Sequence, residues 1–153
     1  MTTIGSIEKI KLNSPCKFFG PDTAVSEIAD SMDLEDIGAV PILDENYLLL
    51  GLVSERDIVR KLVKNGRDSD LVTAKDIMTK EVITVKKTTS IIDALKLMKD
   101  NNIRHLPIVD ESQKLINFIS HRDIIGNNVS NKKFNYILLA FALVLLPAIL
   151  IFK

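Results

Sequence analysis

This chain of 153 residues is poor in the residues that build staples and metal sites. Cys16 is its only cysteine, so no disulfide forms within the chain, which fits a reducing cytosol. The two histidines, His105 and His121, lie far from Cys16 and offer no metal-site spacing. Charge of one sign is missing as well: 20 Lys plus Arg balance 20 Asp plus Glu, so there is no basic excess to hold nucleic acid. No phosphate-cradling glycine loop and no nucleophile–base pair can be found, which argues against an enzyme. The first residues, Met1 to Glu8, lack the basic and apolar regions of a signal peptide. Apolar residues make up 46% of the chain, and a large share of them crowds into its last twenty positions.

What is present is a repeat. Residues 17–60 align without a gap on residues 83–126, at a constant spacing of 66. Identical pairs are Thr23/Thr89, Met32/Met98, Ile37/Ile103, Pro41/Pro107, Ile42/Ile108, Asp44/Asp110, Glu45/Glu111, Leu49/Leu115, Ser54/Ser120, Arg56/Arg122, Asp57/Asp123 and Ile58/Ile124. Most other pairs are conservative, such as Val25/Ile91 and Val53/Ile119. This is an internal duplication.

Within the first copy, Lys17 to Phe19 is a short strand candidate and Gly20-Pro21-Asp22 a turn. Val25, Ile28, Ala29 and Met32 form one helical stripe. Ala39 to Leu43 is a strand whose Pro41 suits an edge or a strand start, and Asp44-Glu45-Asn46 turns the chain into a second strand, Leu48 to Val53. The unbroken apolarity of that strand predicts burial on both faces. A helix follows from Ser54 to Lys64, with Ile58, Val59, Leu62 and Val63 inward and Asn65-Gly66 as its stop. The second copy repeats the plan with strands over Val82–Val85, Ile103–Val109 and Leu115–Ile119, and Ser90-x-x-Asp93 caps the Ile91, Ala94, Leu95, Met98 stripe. Its last helix is expected to be shorter, interrupted at Gly126-Asn127-Asn128. Met32 and Met98 read as core fillers. The fold class is α/β (α+β), with each half a β-α-β-β-α unit over 7–66 and 72–127. Neither half buries a good core alone, so the two should pack as a pseudo-twofold pair.

Each copy delivers Ser-x-Arg-Asp from the end of an apolar strand to the start of a helix: Ser54, Arg56, Asp57, and Ser120, Arg122, Asp123. Two readings fit. Ser and Asp three apart form a capping box that satisfies the first helical amides. The same hydroxyl, guanidinium and carboxylate can hold a phosphate and a ribose, because a carboxylate accepts from ribose hydroxyls and a helix start favours an anion.

With these residues goes a resemblance. Asp76-Ile77-Met78-Thr79 with Val82-Ile83-Thr84-Val85, then Ile103-Arg104-His105-Leu106-Pro107-Ile108-Val109, and the two Ser-x-Arg-Asp elements together resemble a tandem pair of cystathionine-β-synthase (CBS) domains, a Bateman module, over about Ile7 to Asn127. The resemblance implies a non-catalytic regulatory module that binds AMP, ADP, ATP or S-adenosylmethionine in clefts between the repeats, and a homodimer formed through helices. It implies a ribose role for Asp57 and Asp123, and phosphate or ribose contacts for Ser54 and Ser120. Polyphosphate contacts fall to Arg104 and His105 in the second copy, and base contacts to backbone and apolar groups near Thr79, Val82, Ile83 and Pro107. Arg56 and Arg122 suit bidentate phosphate binding. His105 reads equally well as a structural histidine between strands. Two departures imply unequal sites: the family's glycine is Gly51 in the first copy but Asn117 in the second, and Arg104-His105 of the second copy stand where the first has Gly38-Ala39.

A linker over 128–133 leads to Phe134–Phe152, 19 residues without a charge. At about 1.5 Å per residue this run approaches the roughly 30 Å hydrocarbon core, and it has no polar face. Pro147 is tolerated in a membrane span, while Phe134, Tyr136 and the flanking Lys132, Lys133 and Lys153 suit its ends. The expectation is a tail anchor that holds the repeats on the cytoplasmic side of a membrane. The leading functional expectation is a tethered nucleotide sensor serving a membrane transporter or channel. The alternative is a protein-interaction scaffold with degenerate sites.

Overall fold

The computed structural model describes residues 2–7, 10 and 16–129, with side chains as far as Gly126. In the first repeat, α1 (Val25–Leu34) buries Val25, Ile28 and Met32 and leaves Ala29 half-buried, the stripe expected of its spacing. The helix ends where Asp36 takes a positive φ of 50°, as Asn102 (φ 52°) does in the second repeat; both residue types tolerate the left-handed region. Strands β1 (Ala39–Leu43) and β2 (Leu49–Ser54) pair antiparallel from Ala39↔Ser54 to Leu43↔Leu49, with a bulge after Ile42. The Asp44 carboxylate closes their turn by accepting from the amides of Asn46 and Leu48, each at 2.8 Å. After β2 come a single α-turn, α2 (Glu55–Asp57), a π-helical stretch Ile58–Leu62 and a 3-10 turn Val63–Asn65, stopped by Gly66 in the left-handed region at φ 62°. A short α3 (Ala74–Ile77) leads into the second repeat, which is built from α4 (Ile91–Asp100), β3 (His105–Val109), β4 (Leu115–Ser120) and α5 (His121–Val129). Its hairpin keeps the register of the first, from His105↔Ser120 to Val109↔Leu115, with a bulge at the corresponding place.

Several expectations change in detail. Lys17–Phe19 and Val82–Val85 are not strands: only Phe19 and Val85 make parallel bridges, to Ile42 and Ile108, before turns lead the chain away. β2 is not buried on both faces, since Gly51 and Val53 are buried while Leu50 and Leu52 are only half so. The helix after Ser54 is not a continuous α-helix. Its wider π-turn brings Leu62 inward and leaves Val59 and Val63 58% and 63% exposed. Conversely, α5 runs through Gly126. Glycine weakens a helix by about 1 kcal/mol but does not forbid one whose start is capped and anchored by the buried Ile124.

The segments that lead into the repeats are exchanged. Ala74 and Ile77 sit in the first repeat's core with Val25, Ile28, Val40, Ile42 and Val53. They are held there by Val25 N donating to Val72 O (2.9 Å) and Ala74 N to Thr23 O (2.8 Å). Ile4, Ile7 and Ile10 complete the second repeat's core with Ile91, Met98, Leu106, Ile108 and Ile119, and there Ile91 N donates to Thr2 O (3.1 Å) and Ile4 N to Thr89 O (2.9 Å). The repeats also touch at their hairpin tips through the Leu48↔Lys114 bridge. Among the described residues no helix is long and apolar enough to cross a membrane. The span expected over 134–152 lies outside the described residues, as does the linker over 128–133 beyond the end of α5.

Candidate functional site

A cleft of about 320 Å³ opens between the repeats. One wall is Gly38, Ala39, Leu52, Ser54, Arg56 and Asp57 of the first repeat. The other is Thr79, Glu81, Val82 and Ile83 with Asn101, Ile103, Arg104 and His105. The first Ser-x-Arg-Asp element is thus brought to the Thr79, Val82 and Ile83 segment. Arg104 and His105 are not where they were expected. They face the cleft of the first copy's element, because positions 38–39 and 104–105 lie on opposite walls of the same opening. Gly38 proves it locally: a Cβ there would stand 3.4 Å from His105 Cε1. The His105 ring stacks on Phe118, 5.5 Å between centroids.

At the centre is Asp57, 9% exposed. The capping box is present: Ser54 N (3.0 Å) and Ser54 Oγ (2.5 Å) donate to Asp57 Oδ2, and Asp57 N donates to Ser54 Oγ. The other oxygen, Oδ1, accepts from Thr79 Oγ1 (2.9 Å) and pairs with Lys61 Nζ (2.7 Å). Burial pushes this carboxyl upward, but hydrogen bonds from Lys61, Ser54 and Thr79 and the charge of Lys61 outweigh it and hold the group below its ordinary value. The carboxylate is therefore ionised and its four acceptor positions are filled. Of these partners only Thr79 faces the cleft from across it.

Thr79 reaches Asp57 because the chain passes close against β2: Leu52 N donates to Thr79 O (3.0 Å) and Thr79 N to Leu52 O (2.8 Å). Gly51 makes that approach possible, since a Cβ there would meet Met78 Sδ at 2.8 Å and Thr79 O at 2.9 Å. The glycine thus admits the Met78–Thr79 segment against β2. Asn117, its counterpart, is 2% exposed and its Oδ1 accepts from Phe118 N at 2.7 Å.

The arginines are used across the repeats. Arg56 lines the cleft, yet its Nη1 donates to the Asn102 carbonyl at 3.1 Å. Arg122 pairs with Asp36 at 2.9 Å, both exposed. Each arginine thus reaches the positive-φ residue that ends the other repeat's helix. Ser120 and Asp123 repeat the capping box, with Ser120 N donating to Asp123 Oδ2 at 2.7 Å. Ser120, Arg122 and Asp123 do not line the cleft, nor does Pro107, which is buried in β3. Sequence reasoning missed Lys61, although its place one helical turn after Asp57 was a usable signal. It also missed Glu81, Asn101 and Ile103. The charges on the lining are balanced, Arg56 and Arg104 against Asp57 and Glu81. Among the described residues no His, Cys, Asp and Glu cluster has the makings of a metal site.

Comparison with known proteins matches the CBS domain family at residues 6–64 and 74–129. An uncharacterized protein of Methanopyrus kandleri, MK0525, is 45% identical over 104 residues, covering 68% of this chain and 53% of that protein. The chain spans about half to three fifths of the length of the first curated relatives. Among solved structures, a CBS-domain protein from Burkholderia ambifaria MC40-6 superposes with a TM-score of 0.78 at 29% identity, covering 86% of this chain and 96% of that one. The CBS domain pair of MJ0100, solved with 5-methylthioadenosine and S-adenosyl-L-methionine, gives a TM-score of 0.68 at 25% identity over 81% of this chain and 93% of that one.

Proposed function

Since this chain belongs to the CBS domain family, with a tandem CBS pair as its described fold, we propose that it is a non-catalytic regulatory module whose inter-repeat cleft takes an adenosine-containing ligand. The observation that carries this reading is Asp57, an ionised and buried carboxylate on the wall of a cleft that also offers an apolar surface at Ala39, Val82 and Ile83 and cations at Arg56 and Arg104. A ribose hydroxyl entering the cleft takes over the acceptor position on Oδ1 that the Thr79 hydroxyl now uses, so one hydrogen bond replaces another. The base lies against Ala39, Val82 and Ile83, and a phosphate points toward Arg104 and His105, with Arg56 recruited from the Asn102 carbonyl. That recruitment gives the ligand a different affinity for two arrangements of the repeats, which any signal requires. The ligand found with the MJ0100 pair supports the same chemistry.

One observation favours a second reading. The Ser54–Asp57 box is complete by itself, as expected of a scaffold whose sites only cap helices. Calorimetric titration with AMP, ATP and S-adenosylmethionine separates the two. Under the first reading at least one ligand binds, and Asp57→Asn weakens it roughly 10- to 100-fold, the worth of a hydrogen bond to a charged group. Asp123→Asn leaves that binding in place, because Asp123 does not line the cleft. Absence of heat and of any thermal shift with all three ligands would establish the scaffold.

The apolar run 134–152 is proposed as a membrane tether that concentrates the pair, as a homodimer, near a membrane transporter or channel. Deleting 134–152 should move the protein from the carbonate-resistant membrane fraction to the supernatant. Release of the intact chain by carbonate would rule the tether out.

A further inference from the structure

From the geometry around Asp57 we infer that Lys61 is the positioning residue of the ribose clamp formed by the first repeat's element. The inference rests on the nucleotide reading above. Lys61 does not line the cleft. It stands behind Asp57 on the helical segment that follows, where its Nζ pairs with Asp57 Oδ1 (2.7 Å) and donates to Ile77 O (2.7 Å) and Thr79 Oγ1 (3.2 Å). One ammonium group therefore spends its three protons on three acceptors from the two walls. It joins the Ser54–Asp57 element of the first repeat to the Ile77–Thr79 segment that arrives from the linker between the repeats. When a ribose hydroxyl displaces Thr79 from Oδ1, Lys61 still holds the Thr79 hydroxyl and still faces the carboxylate. The clamp is thus organised before the ligand arrives, and no charge has to be created or moved on binding.

The second element differs at this position. At the position 66 residues after Lys61 the chain has Asn127, which carries no charge. Ser120, Arg122 and Asp123 match their counterparts in identity and in capping geometry, and they do not line the cleft that holds Asp57. The two elements thus share their residue types and caps but not the residue one helical turn further on.

The charged and titratable groups around Asp57 are Lys61, Glu55 and Arg56 on its own side, Glu81 on the segment opposite, and Arg104 and His105 from β3 and the residue before it. Lys61 is the one in direct contact. A carboxylate that binds ribose must be ionised, so affinity is lost as pH falls through the Asp57 titration. Removing the cation that favours ionisation moves that loss to higher pH.

The test is calorimetric titration of the full-length chain with AMP, at neutral pH and down toward pH 4, for the parent protein, Lys61→Met and Lys61→Arg. Methionine keeps the apolar stem and a good helix former, and arginine keeps the charge. The expected result is a roughly tenfold loss of AMP affinity in K61M, with its acid limb moved upward in pH, and recovery of most of the affinity and of the parent pH profile in K61R. Equal affinity and an unchanged acid limb in a K61M protein that melts normally would overturn the role of Lys61 while leaving the nucleotide reading intact. If K61M fails to fold, Lys61→Gln, which keeps a donor but no charge, is titrated in its place under the same criterion. A parent protein that binds none of AMP, ATP and S-adenosylmethionine would overturn the nucleotide reading, and this inference with it.

Discussion

Replacing Ile7 by alanine will destabilise the second repeat, not the first. Ile7 lies next to the first repeat in sequence, but it is 1% exposed within the core formed by Ile91, Ala94, Met98, Leu106, Ile108 and Ile119. Truncating a fully buried isoleucine removes its transfer free energy and leaves a cavity, at a cost of about 2–5 kcal/mol. Small domains are stable by only about 5–15 kcal/mol, so this single change takes a large share of the margin. Hydrogen exchange reads the location. Amides of β3 and β4 should lose protection first, while those of β1 and β2 keep theirs. Earlier loss in β1 and β2 would mean that the leading segments are not exchanged. Ile77→Ala is the mirror experiment, since Ile77 is 0% exposed in the first core and should expose β1 and β2 instead.

Gly51→Val should have an effect of similar size by the opposite mechanism. Here nothing is removed and an atom is added where there is no room, 2.8 Å from Met78 Sδ and 2.9 Å from the Thr79 carbonyl oxygen. The methionine side chain can swing aside, but the carbonyl is fixed by the paired bonds between Leu52 and Thr79. Overpacking of this kind costs about 1–3 kcal/mol, and each backbone hydrogen bond broken to relieve it adds about 1 kcal/mol. Relief requires Thr79 to move away from β2, which also takes its hydroxyl from Asp57. Urea denaturation should show the loss of stability and AMP titration a parallel loss of binding. A G51V protein with the parent's stability and affinity would show that Met78 and Thr79 do not lie against β2.

These two positions mark the limit of what could be read along the chain. The duplication at a spacing of 66 was plain, and it fixed much of the fold. The hairpins share one register and one bulge, and the positive-φ pairs Asp36/Asn102 and Tyr47/Gln113 fall at equivalent places. The helical stripes and the capping boxes were also legible, because amphipathic spacing and local side-chain-to-backbone bonds depend on neighbours within a few residues. The π-helical turn at Ile58–Leu62 was not legible, since the spacing of Ile58, Val59, Leu62 and Val63 is what an ordinary α-helix would show.

Ser54, Arg56 and Asp57 stood out from the sequence as one chemical group, and Ser120, Arg122 and Asp123 as another. Their residue types alone left them as helix caps or as ligand clamps. The tertiary structure decided that the first element lines the cleft of about 320 Å³, by laying Thr79, Val82 and Ile83 beside Asp57 and turning Arg104 and His105 toward the same opening. It also decided that Gly51 serves chain packing and that each leading segment completes the other repeat's core. The physical reason is distance along the chain. Caps, turns and amphipathic faces are settled by residues within about one turn of each other, whereas a cleft between repeats depends on contacts made 20 to 50 residues apart, such as Thr79 with Asp57 and Arg56 with Asn102 at separations of 22 and 46.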